Sequence, residues 1–107
     1  MKHEYIEAYE FYKRQYPGNV ILFHIGAGYY AFEDDSFVVA DIDGYSISYS
    51  REDDYHWYDF YQDELEEMLL TMRKVEISVT VVEHRDSDGS FNVPKVKQIL
   101  QDIEDDY

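Results

Sequence analysis

Residues 19–32 read NVILFHIGAGYYAF, and the predicted fold is built around this stretch. Its first half, residues 20–25, is an apolar run of strand length, which is typical of a strand covered on both faces. Residues 26–28 (GAG) then form a corner, and residues 29–32 supply a second run of strand length. Because a short glycine-containing connection between two such runs favours a hairpin, we predict two paired strands.

Three amphipathic helices are predicted around this hairpin, because apolar side chains recur there at intervals of three and four residues. Pro17 and Gly18 end the first helix. Asp63 and Glu64 open the second, where the helix dipole favours negative charge. Pro94 suits the first position of the third. The apolar stripes are Tyr5, Tyr9, Tyr12 and Tyr16, then Leu65, Met68, Leu69 and Met72, then Val96, Ile99, Leu100 and Ile103.

Two further segments alternate in the manner of strands. Tyr45, Ile47 and Tyr49 alternate with serines, which indicates a half-buried strand with a small polar face. The other alternating residues are Ile77, Val79 and Val81. The order of these elements predicts an α/β (α+β) fold, a mixed β-sheet flanked by helices. We expect one domain over residues 1–107, since that length is near the common domain size.

Residues 34–43 fit two structures. The composition of residues 37–39 (FVV) is that of a strand. A helix fits as well, because Gly44 can close it and a polar residue can cap its start. The candidate caps are Asp34, Asp35 and Ser36.

The composition restricts the possible partners. The chain has 24 Asp and Glu against 9 Lys and Arg, a formal net charge of -15, yet aromatic residues make up 18% of it. Acidic disordered chains are poor in aromatics, so this chain should fold. Nucleic-acid binding depends largely on cations that neutralise phosphates, and the net charge disfavours it.

Membrane and cysteine signals are absent from the sequence. No apolar run approaches the length of a membrane span, and the N-terminus lacks the apolar core of a signal peptide. The chain contains no cysteine, which excludes disulfides and thiolate metal sites. We therefore expect a soluble, cytoplasmic protein.

No motif for catalysis, a cofactor, a metal or a nucleotide is found. The loop around Gly89 does not fit an EF-hand, because His84 and Lys95 fall where acidic ligands are required. The corner at 26–28 lacks the Lys and Ser or Thr of a phosphate-binding loop. The histidines also lack the spacing of metal ligands: His3, His24, His56 and His84. We predict no catalytic, cofactor-binding or metal-binding residues.

Residues Tyr55–Tyr61 (YHWYDFY) contain five aromatic side chains. Because Tyr and Trp are favoured at interfaces, Tyr55, Trp57 and Tyr58 form a candidate aromatic interaction patch. The alternative is that these rings fill the core around Trp57.

In order and spacing, these motifs resemble the N-terminal, mismatch-recognition domain of the DNA mismatch-repair protein MutS. That domain has a Y-P-D-like turn, an apolar strand, a G-D-F-Y-E-x-F signature, an E-D-A helix closing on Gly and an I-T-L-T-like strand. The corresponding segments here are 16–18 (YPG), 20–25, 26–32 (GAGYYAF), 33–44 and 45–48 (YSIS). The resemblance covers about residues 5–85 and implies that residues 34–43 are helical. Residues 86–107 are predicted to be an added C-terminal turn and helix.

The resemblance also implies a candidate binding corner. In the family, the Phe of the signature wedges against a mismatched base from the minor groove, and the Glu two residues later hydrogen-bonds the displaced base. By position, the Phe becomes Gly28 here, the Glu becomes Tyr30, and the Asp before the wedge becomes Ala27. Gly26 and Tyr29 match scaffold residues. Both family contact residues are therefore replaced.

Three functions remain open from the sequence. The leading prediction is a non-catalytic, stand-alone interaction module, associated by resemblance with DNA mismatch repair, whose partner is an unknown macromolecule. One alternative is an acidic module that binds a basic protein, or imitates the charge of DNA, without binding DNA. The other is direct binding of distorted DNA through Tyr30, which requires cations on the same side as the corner. The cations considered for it are Lys13, Arg14, Arg73 and Lys74.

Overall fold

The computed structural model describes residues 2–52 and 54–83. The helices and strands follow in the order α1 (Lys2–Gln15), β1 (Asn19–Ile25), β2 (Gly28–Phe32), α2 (Asp34–Asp43), β3 (Ser48–Ser50), β4 (Tyr55–Tyr61), α3 (Leu65–Lys74) and β5 (Ser78–Val82). A one-turn 3₁₀ helix, Gln62–Glu64, connects β4 to α3. The C-terminal turn and helix predicted for residues 86–107 lie outside the described residues.

The five strands form one mixed sheet in the order β3-β4-β2-β1-β5. β1 and β5 are parallel, whereas the other neighbouring pairs are antiparallel. α1 covers one face of the sheet, and α2 with α3 covers the other. The predicted class, an α+β fold with a mixed sheet flanked by helices, is therefore confirmed. We call the end of the sheet that carries the 26–27 corner the hairpin end. The end at which β1 and β5 begin is called the opposite end.

β1 lies at the centre of two hydrophobic cores. Ile21 and Phe23 pack under α1, whereas Val20 and Leu22 pack under α2 and α3, and all four side chains are buried. Successive side chains of a strand point to opposite faces, so a strand covered on both sides has no polar face. The strand predicted for residues 20–25 is confirmed, and it is buried on both faces over residues 20–23, whereas His24 and Ile25 are partly exposed.

The tyrosine stripe of α1 packs on the sheet as its spacing predicts. Tyr5, Tyr9 and Tyr12 are buried, and the ring of Tyr5 stacks on Phe32 at a centroid distance of 5.8 Å. Tyr16 follows the end of the helix and packs against the same core. α1 is thus held by aromatic rings.

Residues 34–43 form a helix, so one of the two predicted structures holds. Gly44 ends it with a left-handed φ of 82° and donates its N–H to the Ala40 carbonyl at 2.8 Å. None of the three candidate residues is the N-cap, which is Glu33. Asp35 accepts the Ile21 N–H at 2.9 Å and the Lys13 ammonium at 2.8 Å. Its carboxylate is therefore committed to tertiary contacts instead of a cap.

The strand predicted around Tyr45, Ile47 and Tyr49 is shorter than expected. Only Ser48–Ser50 is a strand, and Tyr45 is 72% exposed rather than half-buried. The N–H of Tyr45 bonds to the Ala40 carbonyl at 3.1 Å as part of the helix cap. Because that donor belongs to the cap, Tyr45 cannot extend the ladder with β4.

Candidate functional site

The corner is a tight two-residue loop at the hairpin end. Ile25 pairs with Gly28, which leaves Gly26 and Ala27 as the connection. Gly26 has a φ of 62°, and Ala27 is not among the positive-φ residues, which is the pattern of a type II′ turn. The N–H of Gln62 donates to the Ala27 carbonyl at 2.9 Å, so the loop is fastened to the 3₁₀ helix.

Gly28 is the one residue of the corner where a side chain does not fit. It lies between β1 and β4, paired with Ile25 on one side and Tyr61 on the other. A Cβ at Gly28 would lie 2.8 Å from the carbonyl oxygen of Phe60. The resemblance predicted from the sequence assigns this position to the wedge Phe of the MutS signature. The close approach of β4 gives a physical reason why it holds glycine here.

The side chain of Tyr29 lies on the face of the sheet away from α1, where it joins a network of polar side chains. Its ring is 5% exposed and stacks on His24 at 4.4 Å, and its hydroxyl donates to Glu83 Oε1 at 2.8 Å. The other Glu83 oxygen lies 2.7 Å from His24 Nδ1, and His24 Nε2 lies 2.9 Å from Gln62 Oε1. Burial, followed by the bond to Glu83, raises the pKa of Tyr29 to about 12. Tyr29 is thus a protonated donor that joins β1, β2 and the end of β5.

Tyr30 points to the α1 face and does not project freely. Its ring stacks on Phe32 at 6.2 Å and is partly buried against the core under α1. Asp59 is its cross-strand partner on β4. Burial, and then the Asp59 charge, raise the pKa of Tyr30. The side chains of Tyr29 and Tyr30 therefore lie on opposite faces of the sheet.

A cleft of about 270 Å³ lies at the hairpin end on the α1 face. Gly28 has no side chain to fill the space between its neighbours Ile25 and Tyr61. Tyr30 and Asp59 form the next cross-strand pair along the same face. The full lining is Ile25, Ala27, Gly28, Tyr30, Asp59, Phe60 and Tyr61.

The sequence indicated the corner half of this cleft and missed the half that β4 supplies. In the sequence, Asp59 and Tyr61 stand out only as part of the aromatic run YHWYDFY. No local pattern shows that Asp59 lies opposite Tyr30, because the pairing depends on the register of two strands separated by α2 and β3. The alternation within β4 is the one signal that could have placed Asp59 and Tyr61 on one face.

The three residues of the predicted aromatic patch do not form one exposed surface. Tyr55 packs under α1 and Tyr58 under α2 and α3, and both are buried, while Trp57 is partly buried beside Tyr55. Alternation along β4 sends Tyr55 and Tyr58 to opposite faces. The hydroxyl of Tyr58 donates to Asp43. The predicted aromatic interaction patch is therefore wrong, and these rings pack in the two cores, as the alternative interpretation held.

The cations considered for DNA binding lie at the opposite end from the corner. Lys13 and Arg14 are in the last turn of α1, which precedes β1, and Arg73 and Lys74 are in the last turn of α3, which precedes β5. At about 3.3 Å per residue, β1 separates that end from the corner by roughly 20 Å. The Lys13 ammonium is also occupied by Asp35 and by the Asn19 carbonyl at 2.6 Å.

The hairpin end carries carboxylates. Asp59 lines the cleft, Asp63 follows β4, and Glu83 follows β5. A second cleft, between α2 and α3, is also acidic, with a lining of Ile42, Asp43, Glu64, Glu67, Met68 and Thr71. Within residues 5–52 and 54–83, every Lys and Arg side chain lies in the last turn of α1, in the last turn of α3 or in the loop between β3 and β4, away from the hairpin end. The opposite end mixes both signs.

The described residues contain neither a cluster of metal-ligating side chains nor a helix that could span a membrane. No group of three or more His, Asp or Glu side chains in residues 5–52 and 54–83 is arranged to hold a metal ion. Among the described helices, none is both long and apolar enough to cross a bilayer.

Comparison of the chain with models of known protein families yields no match, and comparison with curated proteins yields none. The resemblance to the MutS domain stays a prediction that rests on the sequence motifs.

Proposed function

We propose that this domain is a non-catalytic interaction module, which binds a basic segment of another protein at the hairpin end of its sheet. The observation that carries the proposal is the distribution of charge. Within residues 5–52 and 54–83, the hairpin end has carboxylates on both faces and the cations are at the opposite end. Complementary charge steers a basic partner to such a surface and favours it over acidic competitors.

Direct binding of distorted DNA receives less support from the same observation. A DNA-binding face needs cations that displace the counterions of the phosphates. The corner has Asp59 and Glu83 beside it, and Tyr30 is packed against the core. The partner most compatible with both the charge and the MutS resemblance is a basic, DNA-binding protein. We place the module in the cytoplasm, with the absence of cysteine as support.

Fluorescence anisotropy with three labelled probes tests this function. The probes are an arginine-rich peptide, a DNA duplex with one mismatch and its fully matched control. At low salt we expect the peptide to bind and both duplexes to stay free. Binding of the peptide should weaken as salt is raised, because exposed charges are screened.

Two charge-matched variants localise the surface. Asp63→Asn with Glu64→Gln removes two negative charges at the hairpin end, and Asp34→Asn with Glu52→Gln removes two at the opposite end. Only the first variant should bind the peptide more weakly. Equal weakening by both would mean that net charge alone attracts the peptide. Mismatch-dependent duplex binding that Tyr30→Ala abolishes would overturn the proposal in favour of DNA recognition.

A further inference from the structure

The cleft at the hairpin end owes its shape to Gly28. Across three strands, Ile25, Gly28 and Tyr61 form one row on the α1 face, and the middle position has no side chain. The ring of Tyr30 borders the gap, with its Cε1 3.9 Å from where a Cβ of residue 28 would be. Tyr61 is 72% exposed on the far side. The gap is therefore bordered by two tyrosine rings.

One carboxylate completes the cleft. Asp59 is exposed, faces Tyr30 across the strand pair, and stands between Trp57 and Tyr61 on the same face of β4. No Lys or Arg side chain within residues 5–52 and 54–83 forms an ion pair with it, and its charge helps to raise the pKa of Tyr30. Asp59 is thus a carboxylate that is bordered by aromatic side chains and is available to pair with a cation of a partner.

We infer that this cleft receives a single arginine side chain of the basic partner. A guanidinium is planar, stacks on aromatic rings and bonds a carboxylate through two parallel N–H groups. Tyr30 and Tyr61 supply the rings, and Asp59 supplies the carboxylate. An anion would be repelled by Asp59, and an apolar side chain would desolvate that carboxylate without a partner. Lysine carries the same charge, but its ammonium group is not planar and cannot donate two parallel N–H groups to a carboxylate. This inference rests on the proposed function and names the group that the partner inserts.

The experiment compares oligoarginine and oligolysine peptides of equal length on the full chain. We expect the arginine peptide to bind more tightly. Asp59→Asn and Tyr61→Ala should each weaken arginine binding about fivefold, as loss of one cation contact predicts, with a smaller effect on lysine binding. Emission of Trp57, the single tryptophan of the chain, should change on binding, because it shares the face and strand of Asp59.

Matched controls separate this inference from the general proposal. Tyr45 is also 72% exposed and lies outside the cleft, so Tyr45→Ala should leave the affinity unchanged. Asp34→Asn removes the same charge as Asp59→Asn at the opposite end. If both peptides bind equally and Asp59→Asn behaves like Asp34→Asn, the arginine cleft is overturned and the acidic module stands. If neither peptide binds, both are overturned.

Discussion

At Gly28, the identity of one residue is set by the backbone of another strand. The resemblance to MutS assigns this position to a wedge that touches DNA, whereas the structure puts the Phe60 carbonyl oxygen 2.8 Å from any Cβ placed there. The same missing side chain opens the cleft between Ile25 and Tyr61. A single glycine therefore accounts for both the absence of a side chain at this position and the presence of a cleft.

Replacing Gly28 with alanine should lower the free energy of unfolding. We expect a loss of about 1–3 kcal/mol, the usual range for overpacking, because β2 and β4 must separate to admit the methyl group. Gly18→Ala is the control, since a Cβ there meets nothing within 4 Å and Gly18 has no positive φ. Urea unfolding monitored by circular dichroism measures both. Equal stability of the two variants would contradict the close approach.

A substitution at Tyr12 should have the opposite effect and raise the free energy of unfolding. Its side chain is fully buried, and its hydroxyl has no hydrogen-bond partner within the described part of the chain. Burial is also the main cause that raises the pKa of Tyr12. A buried hydroxyl without a partner costs free energy, so Tyr12→Phe should raise the unfolding free energy by about 1 kcal/mol.

Tyr58→Phe is the matched control for Tyr12→Phe. The hydroxyl of Tyr58 donates to Asp43, so its removal should lower stability by about 1.5–3 kcal/mol, the range for hydrogen bonds to charged groups. Thermal unfolding of both variants under identical conditions measures the difference. A loss of stability in Tyr12→Phe would show that its hydroxyl has a partner after all.

Helices and strands with strong periodicity could be predicted from the sequence. The hairpin of β1 and β2, the tyrosine stripe of α1 and the end of α2 at Gly44 all follow from local patterns. The start of α2 could not be predicted from the sequence, because Asp35 bonds to Ile21 and Lys13, which are distant in sequence. The length of β3 could not either, because the helix cap takes the N–H of Tyr45.

Asp35 joins three elements, and its removal should show this. Its carboxylate connects α2 to the Lys13 ammonium of α1 and to the Ile21 N–H of β1. Asp35→Ala leaves a buried N–H without a partner and an unpaired ammonium, so we expect a loss of about 2–3 kcal/mol. Lys13 remains partly in water, which limits the loss.

Two variants test whether this effect belongs to the carboxylate. Asp34→Ala removes an exposed carboxylate one position earlier and should change stability by about 0.5 kcal/mol or less. Asp35→Asn keeps an oxygen for the Ile21 N–H and should fall between the two. Urea unfolding ranks the three. A result in which Asp34→Ala and Asp35→Ala are equivalent would contradict the link between α1, β1 and α2.

For the whole molecule, composition predicted the sign of the charge, and the topology gives its placement. The cations in the last turns of α1 and α3 share one end of the sheet because both helices precede strands that start there, as the parallel pairing of β1 with β5 shows. That pairing joins segments far apart in sequence, and no local pattern contains it. The candidate site has the same limit, since Asp59 meets Tyr30 only through strand register.

Alkaline pH should unfold the domain through its tyrosines, which occupy both layers. Compared with the ordinary value of 10.0, the pKa is raised at Tyr9, Tyr12, Tyr29, Tyr30, Tyr49 and Tyr58. A raised folded pKa means that the folded state holds the proton more tightly than the unfolded chain. The resulting stabilisation is complete below pH about 10 and is lost as the pH rises through the folded values.

The loss should therefore begin above pH about 10 and continue past pH about 12, the folded value of Tyr29. Far-ultraviolet circular dichroism and tyrosinate absorbance, recorded together, should show unfolding coupled to ionisation. Tyr29→Phe removes one of the groups, so between pH about 10 and 12 its stability should fall with a slope that is shallower by up to about 1.4 kcal/mol per pH unit. Complete ionisation of all 12 tyrosines near pH 10 with the helical signal intact would contradict the burial that is the main cause of every one of these shifts except that of Tyr49.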